Sequence, residues 1–150
     1  MENIGSFQGK TNGLTYILLK STENNRFEAF RKGQPDESIG FYKLNEASIF
    51  REILDNHNII VPKNHTIYSS DVNVAHKDRG EGVATALMRK LIEDLKSREL
   101  IHIAFFSPMG EQFLRPKYIR EDYTVLDIPR KELPRGYRKF NGWLYKVYNG

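Results

Sequence analysis

Twenty-three lysines and arginines against nineteen acids leave this 150-residue chain at +4, a surplus too small to decide a partner by itself. The lack of cysteine excludes disulfides, a thiolate metal site and a cysteine nucleophile, and the length suits a single domain spanning 1–150. No apolar run reaches membrane-spanning length, and Met1-Glu2-Asn3-Ile4-Gly5-Ser6 lacks the basic-then-apolar pattern of a secretory signal, so a cytoplasmic protein without a membrane partner is expected.

In chain order the first half reads as β-rich. Gly13-Leu14-Thr15-Tyr16-Ile17-Leu18-Leu19-Lys20 is expected to form the first strand, followed by a turn at Asn24-Asn25. Arg26-Phe27-Glu28-Ala29-Phe30-Arg31 alternates as a half-buried strand should, and Gly33-Gln34-Pro35-Asp36-Glu37-Ser38 is rich in turn formers. Ile39-Gly40-Phe41-Tyr42-Lys43-Leu44 supplies a third strand, which makes an antiparallel meander. A helix is expected over 46–55, capped by Asn45, with Ile49, Phe50, Ile53 and Leu54 on one face and Asn56-His57-Asn58 ending it.

The most informative stretch follows. The extended run from His65 to Val74 leads into Arg79-Gly80-Glu81-Gly82-Val83-Ala84, and then into an amphipathic helix with Val83, Leu87, Leu91 and Leu95 four apart. Strand, glycine turn and helix start make an anion-binding device, because the first helical amides lack internal partners and sit at the positive end of the dipole. Gly80 and Gly82 let a ligand approach the backbone, and Arg79 adds a planar cation. Neither G-x-x-x-x-G-K-[ST] nor the three-glycine dinucleotide fingerprint is present. The next run, Ile101-His102-Ile103-Ala104-Phe105-Phe106, completes a βαβ-like unit.

On these residues the chain resembles the GCN5-related N-acetyltransferases, the GNAT superfamily. The family's cofactor motif, R/Q-x-x-G-x-G/A, matches Arg79, Gly82 and Ala84, after a strand ending in Val74. A second family pattern, roughly N-x-x-A-x-x-F-Y-x-x-x-G-F, falls on Ser107 to Ile119, so the likeness covers about 66–119. It implies a single α/β domain of GNAT type, with a mixed, mostly antiparallel sheet splayed at the cofactor-binding strand and flanked by helices. It also implies acetyl-CoA as co-substrate and N-acetyl transfer to an amine, on a small molecule or a protein, by direct attack in a ternary complex. The amides of Gly80, Glu81, Gly82, Val83 and Ala84 would grip the pyrophosphate, with Arg79 beside them. Asn73 and Val74 would pair with the pantetheine arm, Ser107 and Phe113 would flank the thiol end, and an amide near Val74 would stabilise the oxyanion. Dimers are common in such families.

The departures from the pattern bear on catalysis. The family tyrosine that often protonates the leaving thiolate falls on Leu114, its asparagine on Ser107 and its late glycine on Tyr118. General acid help is typically worth about 10²–10⁴-fold, so its absence slows transfer without forbidding it. Tyr118, Ser107 and Tyr68 are the nearest hydroxyls that could substitute, although packing or capping is the plainer role of each. Asp71, like Asn73, lies on the strand face opposite Val72 and Val74, where a carboxylate could act as base or orient the acceptor amine; solvent exposure is the plainer reading. Pro116 limits any helix near it to a short piece.

The four histidines, at 57, 65, 76 and 102, form no ligand-spaced pair, so no metal is expected. His76 stands nearest the phosphate turn, and His102 alternates with Ile101 and Ile103 as a satisfied or partly exposed strand residue. Residues 111–150 hold nine basic and five acidic side chains, notably in the run from Pro129 to Phe140. That run reads first as a solvated loop before a final strand, Trp143-Leu144-Tyr145-Lys146-Val147-Tyr148. It also carries the alternative function: a catalytically weak or inactive GNAT-fold binding module whose basic C-terminal surface meets nucleic acid or an acidic protein, with nucleic acid not favoured.

Overall fold

A computed structural model describes residues 1–21, 23 and 25–150, and they divide into two compact units, Met1–Leu44 with Asp71–Asp94, and Asn45–Ser70 with Leu95–Gly150. The first unit is built on the expected meander, with an additional strand before it. Strands β1 (Glu2–Gln8), β2 (Thr15–Ser21), β3 (Arg26–Arg31) and β4 (Ser38–Glu46) pair antiparallel in turn, from Gln8↔Thr15 through Tyr16↔Arg31 to Arg26↔Lys43. β1 was not expected. It is an edge strand with a bulge between Asn3 and Gly5, and Met1 to Asn3 are exposed, so little alternation marks it in the sequence. Of the expected Asn24-Asn25 turn, Asn24 lies outside the described residues; Asn25 has φ +48° and its carbonyl accepts from the Leu44 amide.

The expected helix begins later than the sequence suggests. β4 extends to Glu46, and helix α1 spans Phe50–Asn56 with Ile49, not Asn45, at its N-cap. The reason is that the sheet claims this backbone first: the Ala47 amide donates to the Ile67 carbonyl at 2.8 Å, so residues 45–47 stay extended. Asn58, at φ +60°, ends the segment as expected.

Strand β5 (Thr66–Val74) runs through both units, and helix α2 (Val83–Leu95) follows it in the first. α2 buries Val83, Leu87, Met88, Leu91, Ile92 and Leu95, the stripe that its spacing specifies. Gly40 on β4 lets this helix and β5 approach, because a Cβ there would stand 3.0 Å from Val83 Cγ1 and 3.3 Å from the Asn73 carbonyl. The Ala75 amide also donates to the Ile39 carbonyl at 2.7 Å, tying the end of β5 to β4.

The second unit centres on β6 (Glu99–Phe106), which pairs parallel with β5 from Thr66↔Leu100 to Ser69↔Ile103 and antiparallel with β8 (Gly142–Asn149). A short β7 (Thr124–Val125) pairs on the far side of β8, and the hydrogen-bonded strand order is β1-β2-β3-β4-β5-β6-β8-β7. The registered β5–β6 pairing ends at Ser69, although both strands continue. Two six-residue helices, α3 (Pro108–Phe113) and α4 (Arg115–Arg120), each carry a proline in the first turn. Both faces of β6 are buried from Leu100 to Phe106, which is why that stretch is apolar except for His102. Ile101, Ile103 and Phe105 join Phe50, Leu54, Leu126 and Leu133 in one cluster.

His102 and Phe106 face Tyr118 and Tyr123 on the other side. His102 is wholly enclosed, the satisfied one of the two settings its pattern allowed. Its Nδ1 lies 2.6 Å from the Tyr123 hydroxyl and its Nε2 2.9 Å from Ser70 Oγ, while Tyr123 meets the Tyr148 hydroxyl at 2.8 Å. Burial pushes His102 down to about 3 and, as the main cause, Tyr148 up to about 12. Because the folded imidazole titrates far below the unfolded value of 6.5, the unfolded chain takes up the proton first. Stability from this group is therefore complete above about pH 6.5 and is lost as the pH falls toward 3. Urea unfolding of wild type and His102→Gln across that window checks this: the stability gap between them narrows as the pH falls. A gap independent of pH means that the histidine is not held neutral.

Candidate functional site

The strand-to-helix connection in the first unit is tight and carries both of its acids turned inward. After Val74 a single 3-10 turn covers His76–Asp78, and Arg79 then leads to Gly80 at φ +82° and Gly82 at φ +93°. Both values favour glycine, so the two glycines are required by the chain path and not only by the space they leave. A Cβ on Gly80 would meet nothing within 4 Å, which leaves that backbone open to a ligand. α2 begins at Val83, and its 13 residues bring unpaired amides and a positive dipole end to the turn.

Asp78 is fully buried, and three donors reach it. Arg31 grips it in a bidentate fork, Nη2 to Oδ2 at 2.8 Å and Nε to Oδ1 at 3.0 Å, and the Tyr16 hydroxyl donates to Oδ1 at 2.7 Å. Asn12 Nδ2 completes the chain by donating to Tyr16. Burial first, and then the carboxylate, raise the Tyr16 phenol above its ordinary value, while the bond to Asp78 raises the Arg31 guanidinium. Glu81, also buried, accepts from the Thr11 amide at 2.7 Å, the Asn12 amide at 3.0 Å and the Thr11 hydroxyl. The Thr11 hydroxyl and these amides hold its carboxyl below the usual range. With both acids occupied, the exposed side chains of the connection are His76, Lys77 and Arg79. Its outward face is basic and its backbone open, and an anion suits both.

Asn73 and Asp71 are exposed on β5 and Val72 and Val74 half-buried, so the two pairs occupy opposite faces. Arg79 is exposed and bends back, its Nε donating to the Val74 carbonyl at 3.1 Å. The structure thus gathers Asn73, Val74, His76 and residues 79–84 around one connection. Ser107, Phe113, Leu114 and Tyr118 belong to the second unit. There Ser107 caps α3, accepting from the Gly110 amide at 3.1 Å, and Phe113 is exposed. Leu114 is buried at the junction of α3 and α4, and Tyr118 is wholly buried, packed edge-on against Phe106 and Tyr123. Tyr68 lies 5.3 Å beneath the Arg98 guanidinium.

Lys10, Thr11, Asn12, Tyr16, Arg31 and Asp78 were not singled out in the sequence, although they build the support of the turn. Only Gly9 and Gly13, flanking a polar stretch, hinted at a structured loop there.

No family model matches the sequence, and no curated protein matches it. Solved structures do. Arabidopsis thaliana NAA60, in complex with acetyl-CoA, superposes with a TM-score of 0.52 at 16% identity, over 90% of this chain and 77% of that one. An uncharacterized protein from Bacillus halodurans superposes at 0.53 with 7% identity, over 97% of this chain and 90% of that one. The fold is GNAT-like. The glycine connection joins the fifth strand to the long helix.

Elsewhere on this GNAT-like frame, the basic run from Pro129 to Phe140 is a loop between β7 and β8 that packs onto the second unit's core through Leu133, Tyr137 and Phe140. Its two best-placed guanidiniums are committed to the loop itself. Arg130 donates to the carbonyls of Phe140 and Arg138, and Arg138 to those of Leu133 and Lys131. Among the described residues no group of three or more His, Cys, Asp or Glu side chains could hold a metal, and no helix is long and apolar enough to cross a membrane.

The Asp78 fork yields an ordering of variants. Tyr16→Phe removes one donor and leaves the ion pair, costing about 1 kcal/mol. Asp78→Ala strands the Arg31 guanidinium and costs severalfold more. Urea unfolding at neutral pH checks the order; equal costs mean that the fork does not secure the turn.

Proposed function

We propose that this protein is an acetyl-CoA-dependent acyltransferase that moves an acetyl group to an amine. The observation that carries the reading is the β5–α2 connection, a GNAT-type strand–glycine-turn–helix with an open backbone and both of its carboxylates turned away. Gly80 at φ +82° with no atom within 4 Å of a would-be Cβ suits close approach by a polyphosphate. The likeness to NAA60, which was crystallised with acetyl-CoA, supports the same ligand here at the level of the fold.

On this reading the bound co-substrate supplies the activated acetyl group, and the chain supplies position and charge. The amides from Gly80 to Ala84 hold the pyrophosphate, with Arg79 and His76 beside them, while the strand end at Asn73 and Val74 takes the pantetheine arm. Holding the thioester and amine together can supply a large part of the acceleration of such a reaction. Of the hydroxyls that the sequence offers as proton donors, Ser107 is the one with a proton free to give. Its oxygen accepts from Gly110, which leaves its own O–H to give, whereas Tyr118 is enclosed among aromatic rings. Asp71, exposed on β5, is the group we assign to orienting the acceptor amine.

The test is calorimetric titration with acetyl-CoA. We choose Ala84→Glu over a change at Gly82, because a side chain at φ +93° strains the turn itself. A glutamate in the first turn of α2 suits the helix dipole but sets a carboxylate where phosphate would lie. The expected result is one-to-one micromolar binding to wild type, weakened at least about tenfold in Ala84→Glu, the equivalent of about 1.4 kcal/mol. Equal affinity in the variant removes the phosphate from this turn.

A further inference from the structure

We infer that Lys10, on the turn between β1 and β2, is a further phosphate-binding residue of this site, and that the Glu81 carboxylate is the latch that holds it there. The inference rests on the acetyl-CoA reading and adds to it a cation that no part of the GNAT resemblance assigns.

Three observations within the first unit converge. The Lys10 side chain lies along Gly82: Cε, Cγ and Cδ stand 3.4, 3.9 and 4.0 Å from the point a Cβ on that glycine would occupy. Its ammonium therefore projects one bond beyond Cε, beside the start of α2. Second, the turn that carries it is fastened to the connection. The Lys10 amide donates to the Glu81 carbonyl at 3.2 Å, and the amides of Thr11 and Asn12 close on Glu81 Oε1 at 2.7 and 3.0 Å. The turn itself is braced by Gly9 N to Leu14 O at 2.8 Å and Leu14 N to Asn12 Oδ1 at 2.9 Å. A Cβ on Gly9 would stand 2.1 Å from Asn12 Oδ1 and 3.0 Å from Glu81 Oε1, so this glycine is what lets the latch close.

Third, the charge is on the wrong end of the helix for stability. A lysine is favourable at a helix C-terminus and unfavourable beside the N-terminal amides. Among the described residues Lys10 has no carboxylate within ion-pair distance, since Glu81, the acid of this turn, is occupied by Thr11 and Asn12. A lysine whose turn is fastened beside a positive helix end, and which has no acid of its own, is relieved by an anion that both can share. The pyrophosphate of acetyl-CoA is such an anion.

Calorimetric titration of acetyl-CoA into wild type, Lys10→Ala and Lys10→Arg, at low salt and at about 0.5 M salt where charges are screened beyond a few ångströms, tests this. Lys10→Ala is expected to bind about tenfold more weakly at low salt, the scale of one charge-assisted contact, with Lys10→Arg near wild type and the gap closing at high salt. The melting temperature without ligand should not fall in Lys10→Ala. Wild-type binding that Lys10→Ala leaves unchanged overturns this inference and leaves the acetyl-CoA reading standing. A loss equally large at high salt assigns Lys10 to packing and also overturns it. No wild-type binding at all overturns both.

Discussion

The candidate site depends on where two carboxylates go. A glycine turn ahead of a helix is attractive to anions only if its own acids do not occupy the space. Here Asp78 and Glu81 flank the open residues Arg79 and Gly80, yet both side chains are buried and saturated with donors. Burying a carboxylate without partners is costly enough that the group would protonate or turn outward. The Arg31 fork and the Tyr16 hydroxyl remove that cost for Asp78, and the Thr11 and Asn12 amides remove it for Glu81. The basic outer face of the connection follows from those inner bonds, so part of the electrostatics of the site is set by residues that never face the ligand.

The second unit shows the same economy applied to neutral groups. β6 is covered on both faces, and the one polar side chain in its middle, His102, is accepted because two hydroxyls satisfy its two nitrogens. A neutral imidazole offers one donor and one acceptor, and serine and tyrosine can each supply the complement. Charging it there would place an unpaired cation in an enclosed space, which is why burial drives its titration so low. The network thus fixes Ser70 on β5, Tyr123 before β7 and Tyr148 on β8 to one strand without any net charge.

The sequence made the repeating elements legible and left the long-range bonds dark. The α2 stripe and the apolar run of β6 each carry a pattern that physics ties to one structure, and both formed as expected. β3 formed as a strand but not as a half-buried one: Phe27, Glu28, Ala29 and Phe30 are all buried, and Glu28 is accommodated there by its bond from Arg26. The glycine turn was legible for the same reason, since positive φ restricts the choice of residue. What failed was arbitration between competing local patterns. Residues 46–49 suit a helix start, yet Ala47 is held by Ile67, twenty positions away, and no local pattern encodes that bond. Edge strand β1 buries too little to leave a period. The Arg31–Asp78 and Thr11–Glu81 contacts span 47 and 70 positions, so the support of the site was invisible even where its surface was not.

On the acetyl-transfer reading, the position of Leu114 becomes intelligible from leaving-group chemistry. A tyrosine there would protonate the departing sulfur, but a thiol with a pKa of about 8.5 departs as an anion far more readily than an alcohol does. The acid is therefore the part of the machinery that this reaction can lose at least cost, about 10²–10⁴-fold where it is used at all. Position cannot be lost so cheaply, since bringing thioester and amine together is worth on the order of 10⁵ M or more in effective concentration. In this chain Leu114 is buried where α3 meets α4, so the side chain stabilises the packing of those helices instead. The turn that would do the positioning keeps both glycines and encloses both acids. On that reading, a chain without the acid but with the cradle keeps the part of the machinery that positions the reactants.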